Sequence, residues 1–275
     1  MALNFNRIIE LELASQNDSF KISCPAKGRK PDIEISGVMD QSDQVSNFEV
    51  RIKNLYTDKI LADYQTIKVT AGYEGNLSTS IIGSVMNVYT SEPAPDKVTV
   101  IQCLQSQLTS YLNKTVSLSL KAGFTLEEAL RQISTALEFN APQVDSSITK
   151  TAAAPLQTSG LAKDVLHSLR SYWPDVVIVV DNNKLKATPN DRGTSKIFNI
   201  NYVTSAPQFS GNLITLTCPW VPDLKPRDYI NIKTNFYEKD NTLNATDVKS
   251  KYLVNSISFT FGTINSNTMT IEAIA

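Results

Sequence analysis

Short runs in which hydrophobic and polar residues alternate fill the first hundred or so positions of the chain. In residues 48–53, Phe, Val and Ile occupy the even positions and Glu, Arg and Lys the odd ones. Successive side chains of a strand point to opposite faces of a sheet, so this alternation predicts a half-buried antiparallel strand. Seven such runs, separated by Gly, Pro, Asn and Asp, predict a closed or nearly closed barrel or sandwich. The runs are RIIELELA, SFKISCP, DIEISGVM, FEVRIKNL, TIKVTAGY, STSIIGSVMNVYT and KVTVIQCL.

A helical pattern follows in the middle of the chain. Thr125 and Glu128 have the spacing of a capping box, and the residues behind them form a hydrophobic stripe at helical spacing. This predicts a helix over 125–139, and a similar stripe predicts a second helix over 160–172. The stretch between them, NAPQVDSSITKTAAAPLQTSG, lacks periodicity and predicts an exposed loop. The stretch DVVIVVDNNKLKAT then predicts a hairpin.

Strand patterns return after residue 200, in FNINYVT, NLITLTCPW, DYINIKTNFY, SKYLVNSISFTFG and TMTIEAIA. In residues 252–261 the odd positions are predicted to face opposite to the even ones, although Asn255 interrupts the alternation. The predicted fold class is therefore mainly β with a small α/β insert. We divide the chain into an antiparallel β-barrel at 1–105, a mixed α/β domain at 106–200 and a second β-barrel at 201–275. Strands of the insert could complete the second barrel.

A segment rich in proline separates two of these strands. Residues 216–232 read LTCPWVPDLKPRDYINI, with Pro219, Pro222 and Pro226 between two β-type runs. Proline fixes φ and has no N–H to donate to a sheet, so the segment predicts a rigid corner that joins two strands.

Composition narrows the class of protein. The hydrophobic fraction of 41%, the charged fraction of 19% and the net charge of −1 describe a globular chain without an excess of positive charge for non-specific nucleic-acid binding. The start lacks the features of a signal peptide, and the longest purely apolar run, 176–180, is too short to span a bilayer. We expect a soluble protein made in a cytoplasm. The three widely spaced cysteines, Cys24, Cys103 and Cys218, predict buried free thiols.

No catalytic, metal or cofactor motif is apparent. The single histidine, His167, falls on the polar side of the second helix, and the adjacent Ser168 cannot face it there, which argues against a Ser–His–acid triad. Cysteine and histidine clusters with zinc-ligand spacing are absent, as are a Walker A sequence and GxGxxG. No sequence spacing pairs the carboxylates, which leaves a spatial pair open; those considered are Asp40, Asp43, Glu127, Glu128 and Asp181.

Three stretches carry a family resemblance. The N-terminal FEVRIKNL, TIKVTAGYEGNLSTSIIGSVMNVYT and KVTVIQCL resemble the first tube-like barrel of phage tail baseplate hub proteins. The middle AGFTLEEALRQIS, SGLAKDVLHSLRSYW and VVIVVDNNKLKA are similar to the insert domains of such hubs. The closing LTCPWVPDLKPRDYINI and KYLVNSISFTFGTINSNTMTIEAIA resemble the last barrel of the family, where a P-x-L-x-P-G-D corner enters a strand. The corner residues that we single out are Pro219, Trp220, Pro222, Leu224, Pro226 and Asp228.

The resemblance implies a structural, non-enzymatic role in a phage tail or contractile injection system. It implies two tube-like barrels per chain and a homotrimeric ring that adapts the six-fold tail tube to a three-fold spike, located in the tail baseplate of the virion. The implied partners are further copies of the chain, the tail tube protein, a spike or central fibre protein and other baseplate proteins. No membrane and no cofactor are implied, and nucleic acid would only pass through the lumen. Arg227 departs from the pattern, because the family usually has glycine there.

Two other functions stay open on the residues alone. A carbohydrate-binding or adhesin-type β-module would use Trp220 or Trp173, although a tryptophan in such a position more often plugs a core or anchors a protein contact. A hydrolase would need two carboxylates brought together in space.

Overall fold

The computed structural model describes residues 6–24, 31–40, 47–55, 63–91, 96–105, 114–180, 184–194, 196–232, 251–264 and 267–275. The strands are β1 (Arg7–Ala14), β2 (Ser19–Cys24), β3 (Ile33–Asp40), β4 (Asn47–Lys53), β5 (Thr66–Tyr73), β6 (Asn76–Ser91), β7 (Val98–Gln105), β8 (Thr115–Leu120), β9 (Asn140–Val144), β10 (Leu156–Leu161), β11 (Val176–Val180), β12 (Lys184–Pro189), β13 (Ile197–Ile200), β14 (Gln208–Ser210), β15 (Leu213–Cys218), β16 (Tyr229–Ile232), β17 (Tyr252–Gly262) and β18 (Asn267–Ile274). The helices are α1 (Leu126–Leu137) and α2 (Ala162–Arg170).

The mainly β fold class is confirmed, as are the seven N-terminal strands and both helices. At the start of α1 the amide of Glu128 donates to Thr125 Oγ1 at 3.2 Å, and the amide of Thr125 donates to Glu128 Oε2 at 2.8 Å. Both bonds of the predicted capping box are therefore made. The predicted hairpin is the antiparallel pair β11–β12, and its turn residues 181–183 lie outside the described residues.

The prediction of an exposed loop between the helices is wrong in part, because this stretch contains β9 and β10. Strand β9 pairs in parallel with β12, and β10 pairs antiparallel with β8. Both partners are distant in sequence, and no side chain of β9 is fully buried, so alternation could not mark it as a strand. Strands β8 and β14 also lie outside the predicted runs.

The chain folds into two compact units. Unit 1 contains residues 1–40, 46–105 and 194–275, and unit 2 contains residues 41–45 and 106–193. In unit 2 the buried face of α1 packs with α2 and the strands in one hydrophobic core. Trp173 belongs to this core, and its indole N–H donates to the carbonyl of Lys150 at 3.2 Å. Unit 2 therefore has a core of its own.

Eleven strands of unit 1 pair antiparallel in the order β14-β15-β18-β17-β3-β4-β7-β6-β5-β1-β2. Strand β16 also pairs antiparallel with β17, and β13 pairs in parallel with β16. Seven residue pairs, from Ser256–Asp40 to Gly262–Glu34, connect β17 to β3. Strands from both ends of the chain therefore share one sheet. Within the described strands no pairing joins β14 to β2, and the division into separate barrels at 1–105 and 201–275 stays a prediction.

One face of this path contributes to a single hydrophobic core. The predicted alternation holds in the second half of β17, where Ile257, Phe259 and Phe261 are buried. A bulge between Val254 and Ser256 accommodates Asn255 and shifts the preceding residues, so Val254 is buried as well. The interruption at Asn255 is therefore an extra residue in a continuous strand.

A glycine makes room for an aromatic ring in this core. A Cβ added at Gly83 of β6 would lie 2.4 Å from the ring of Phe48 on β4, which is closer than two carbon atoms can approach. The ring of Phe48 therefore occupies the space that a side chain on β6 would need.

Neither helix in the described part of the chain is long and apolar enough to cross a membrane. The three cysteines are free and buried, as predicted. Burial raises the pKa of Cys103 and of Cys218 to about 12.

We expect the native protein to expose at most one fast-reacting thiol to a disulfide reagent at about pH 8, because burial keeps Cys103 and Cys218 protonated and out of reach. In denaturant all three thiols should react at once. A thiol assay on the native and unfolded protein measures this. Rapid modification of two or more native thiols would contradict the burial described above.

Candidate functional site

The proline corner carries the chain across two strands of the sheet. Strand β15 ends at Cys218 and β16 begins at Tyr229, and the order β15-β18-β17-β16 places the β17–β18 pair between them. The ten residues 219–228 therefore connect strands that are not neighbours. The geometry of this connection sets where β16 joins β17.

The second half of the corner is a tight turn. The amide of Asp228 donates to the carbonyl of Lys225 at 3.1 Å, with Pro226 and Arg227 in the two central positions. Arg227 has a φ of 73°, which together with proline before it is the pattern of a type II turn. Asp228 Oδ2 also accepts from the amide of Lys225 at 2.9 Å, so side chain and backbone close the same turn.

This turn keeps the conformation for which glycine is suited, although the residue is arginine. A non-glycine residue in this left-handed region costs about 1 kcal/mol or more. Two bonds to β17 hold the turn in place: the amide of Arg227 donates to the carbonyl of Val254 at 2.8 Å, and the amide of Val254 donates to the carbonyl of Asp228 at 2.9 Å. The sheet therefore fixes the strained residue.

The turn also holds the segment that enters unit 1 after residue 193. The amide of Thr194 donates to the carbonyl of Arg227 at 2.7 Å, and Thr194 Oγ1 donates to Asp228 Oδ1 at 2.5 Å. Asp228 is 2% exposed, so both of its carboxylate oxygens are bonded in the interior. The amide of Tyr229 donates to the carbonyl of Lys196 at 3.0 Å, which starts the pairing of β13 with β16.

The first half of the corner is anchored by Trp220. Its side chain is 4% exposed and its ring packs against Phe259 and Phe261, with ring centroids 5.1 Å and 5.4 Å away. Leu224 is buried as well, and the three prolines are half-buried. The structure thus places the six predicted corner residues in one connection, with Trp220 in the core. Their role as a functional site stays a prediction.

A polar bridge joins the corner to the N-terminal strands. The amide of Trp220 donates to Asn267 Oδ1 at 3.0 Å, and Asn267 Nδ2 donates to the hydroxyl of Tyr73 on β5 at 3.0 Å. The Tyr73 hydroxyl in turn donates to the carbonyl of Trp220 at 3.3 Å. Arg7 on β1 donates to the carbonyls of Gly262 and Ile264 at 2.8 and 3.2 Å. These bridging residues belong to no short motif, so the sequence offered no signal for them.

A polar face covers four adjacent strands in the sheet of unit 1. Strands β15, β18, β17 and β3 contain no lysine or arginine within their bounds. Their side chains opposite the core are mostly hydroxyls and carboxylates, which we call the hydroxyl face: Thr215, Thr217, Thr268, Thr270, Glu272, Ser256, Ser258, Thr260, Glu34, Ser36, Val38 and Asp40. Cross-strand partners such as Ser36 and Thr260 place these groups side by side.

The other candidate groups that lie within the described residues are exposed: Asp40, Glu127, Glu128 and His167. His167 is exposed on α2, and the hydroxyl of Ser168 donates to the carbonyl of Asp164 at 2.9 Å. Asp43 and Asp181 lie outside the described residues. The part of the chain that the structure describes contains no cluster of three acidic, histidine or cysteine side chains that could hold a metal ion.

Solved structures reveal which proteins share this architecture. The 43 kDa tail protein of prophage MuSo2 from Shewanella oneidensis superposes with a TM-score of 0.61, at 11% identity, over 96% of both chains. The tail protein of Neisseria meningitidis MC58 superposes with a TM-score of 0.57, at 8% identity, over 98% of this chain and 97% of its own. The chain has the fold of phage tail proteins. The resemblance to baseplate hub proteins is therefore confirmed at the level of the fold.

A protein of a secretion machine shares the tail-protein fold. The Escherichia coli c3393 protein, described as a component of the type VI secretion system with structural similarity to the T4 bacteriophage tail proteins gp27 and gp5, has a TM-score of 0.53 at 10% identity. The superposition covers 90% of this chain and 75% of that protein. No protein-family model matches the chain, and no curated protein sequence matches it. Identities this low establish the shared fold and nothing finer.

We predict that Arg227→Gly is about 1 kcal/mol more stable than Arg227→Ala, since only glycine adopts the φ of 73° without strain. Both variants remove the arginine side chain, so its contacts cancel in the comparison. Denaturant unfolding measures the difference. Equal stabilities would show that the turn does not impose this φ in solution.

We predict that Asp228→Asn lowers the free energy of unfolding by about 1–2 kcal/mol, because an amide cannot accept both bonds of the buried carboxylate. The matched control is Asp223→Asn, an exposed residue of the same corner with a φ of 63°, which should change stability by less than about 0.5 kcal/mol. Urea unfolding of the two variants gives both values. A loss at residue 223 as large as that at residue 228 would refute the anchoring role of Asp228.

Proposed function

We propose that the chain is a structural baseplate hub protein of a phage tail or a related injection machine. The observation that carries the proposal is the match to two tail proteins over nearly the full length of each chain. In this role the protein forms a homotrimeric ring that adapts the six-fold tail tube to a three-fold spike. It acts by shape and by interfaces, without catalysis, and it resides in the tail baseplate.

The strand order of unit 1 supports a three-fold ring with six-fold character. In the sheet path of unit 1 the C-terminal part of the chain contributes one group of strands, β14, β15, β18 and β17, and the N-terminal part contributes another, β3, β4, β7, β6, β5, β1 and β2. Two groups of strands per chain would give six groups in a trimer, which is how a three-fold object can match a six-fold one. The proposed neighbours are the tail tube protein on one side, a spike or central fibre protein on the other, and further baseplate proteins around the ring.

The composition of the hydroxyl face suits a surface along which nucleic acid passes without binding. Nucleic-acid binding depends on lysine and arginine contacts to phosphates, and the four strands β15, β18, β17 and β3 contain neither residue. Glu34, Asp40 and Glu272 add negative charge to this face. Within these four strands a phosphate backbone would find hydroxyls and carboxylates, and the nearest strand cations, Arg51 and Lys53, lie on the neighbouring strand β4, where Arg51 is opposite Glu34. We therefore propose that the hydroxyl face lines the lumen.

The carbohydrate-binding alternative loses the observation that favoured it. Trp220 is 4% exposed and Trp173 is 2% exposed, and each packs in a hydrophobic core. Neither ring offers a face on which a sugar could stack. No arrangement of the described residues favours the hydrolase either, so we carry a single function forward.

We expect the purified protein to form trimers at micromolar concentration, with a three-fold ring around a central opening. Mass photometry over a range of concentrations measures the mass, and electron microscopy of the same sample shows the ring. Tails assembled with a tagged copy should carry the tag only at the end where tube meets spike. A protein that remains monomeric at high concentration, with no tag in assembled tails, would refute the hub proposal.

A further inference from the structure

Residues 190–196 form the connection through which the chain returns from unit 2 to unit 1. The nearest buried residue before this connection is Ala187, in the core of unit 2, and the nearest one after it is Ile200, in the core of unit 1. Apart from Gly193, every described residue between 190 and 196 is exposed: Asn190, Asp191, Arg192, Thr194 and Lys196. A segment that buries so little apolar surface opens at a lower free energy than the cores on either side of it.

The first part of the connection is bonded to unit 2. The amide of Arg192 donates to the carbonyl of Pro189 at 3.2 Å. The guanidinium of Arg192 donates to Asp145 Oδ1 and to the hydroxyl oxygen of Ser147, each at 3.4 Å. All three partners belong to unit 2. Unit 2 therefore holds the chain as far as Arg192.

The second part of the connection is bonded to the turn of the proline corner in unit 1. The amide of Thr194 donates to the carbonyl of Arg227 at 2.7 Å, and its hydroxyl donates to Asp228 Oδ1 at 2.5 Å. The same hydroxyl oxygen accepts from the amide of Lys196 at 3.1 Å. The amide of Tyr229 donates to the carbonyl of Lys196 at 3.0 Å. One hydroxyl group thus links the carboxylate of Asp228 to the backbone of the connection.

Gly193 lies between these two sets of bonds. From Arg192 to Thr194 the partners change from unit 2 to unit 1. Glycine accepts a wider range of φ and ψ than any other residue, and hinges are formed by a few loop residues that absorb such changes. We infer that Gly193 is a hinge of the return connection and that the contact between Thr194 and Asp228 is a latch that holds it.

Opening the latch uncovers polar groups and little else. Thr194 and Lys196 are exposed already, and Asp228 is 2% exposed behind them. When Thr194 leaves, water replaces its hydroxyl at the carboxylate, so hydrogen bonds within the protein are exchanged for hydrogen bonds to solvent. The latch therefore sets whether the return connection is fixed to the turn or able to pivot. It works within one copy of the chain, so it does not depend on the proposed ring.

Native-state hydrogen exchange of the wild-type protein tests whether the connection opens by itself. The reporters are the amide of residue 194, bonded to Arg227, and the amide of Tyr229, bonded to Lys196. Both should exchange through a local opening, at least about tenfold faster than the slowest amides of β17. Exchange of both reporters at the rate of those β17 amides would overturn the latch, because the connection would then open only on global unfolding.

Thr194→Val tests the hydroxyl, because it keeps the shape of the side chain and removes the donor. Neither reporter bond uses this hydroxyl, yet both reporters should exchange about tenfold faster in the variant. The matched control is Thr204→Val, which removes the bond from Thr204 Oγ1 to the carbonyl of Thr217 at 3.1 Å. It should leave exchange at both reporters unchanged. Equal acceleration by the two variants would overturn the assignment of the latch to Thr194.

Single-molecule fluorescence energy transfer tests the hinge separately. One dye is placed on α1 by Gln132→Cys and the other on β5 by Lys68→Cys, both at exposed positions. We expect a minor state of different transfer efficiency whose population rises about tenfold in Thr194→Val. In Thr194→Ser, which keeps a hydroxyl, it should stay at the wild-type level. A single transfer efficiency in the Thr194→Val protein would overturn the hinge at Gly193.

Discussion

The pairing of β17 with β3 is the interaction on which unit 1 depends. It aligns seven residue pairs that are more than 200 positions apart in sequence, and it links the C-terminal strands to the N-terminal strands in one sheet. Thr263, just beyond β17, adds a clamp: its amide donates to the carbonyl of Ile33 at 2.9 Å, and its hydroxyl accepts from the amide of Ile33 at 3.1 Å. The loop-closure entropy of so distant a contact has to be offset by the core that the joined strands bury.

The proline corner and the polar bridge attach further segments to the same strand β17 and its neighbour β18. The corner carries the chain across the β17–β18 pair to reach β16, and Trp220 packs in the core against Phe259 of β17. Tyr73 and Asn267 connect the same region to β5, and burial raises the pKa of the Tyr73 hydroxyl. Unit 1 is thus held by contacts between distant segments, as suits a protein whose proposed role is to keep its shape between a tube and a spike.

Local pattern predicted the elements better than their arrangement. The alternation in residues 48–53 and the capping box at Thr125 report the environment of a single strand or helix, and both are confirmed. Strand β9 was missed because its side chains are mostly exposed and its pairing partner, β12, lies far along the chain. The corner was recognisable from its prolines, but the hydrogen bonds between Asn267 and Tyr73 and between Thr194 and Asp228 were not. Those contacts exist only after strands far apart in sequence have paired, and no local spacing records them.

The continuity of the sheet across β17 and β3 is tested most directly by native-state hydrogen exchange in unit 1. If the sheet is one cooperative structure, the slowest amides of β3 and β4 and those of β17 and β18 should report the same opening free energy, equal to that of global unfolding. If the amides of β3 and β4 exchange through a separate opening of clearly lower free energy, the two ends of the chain fold independently. The β17–β3 pairing would then be a contact between two domains and not the core of one.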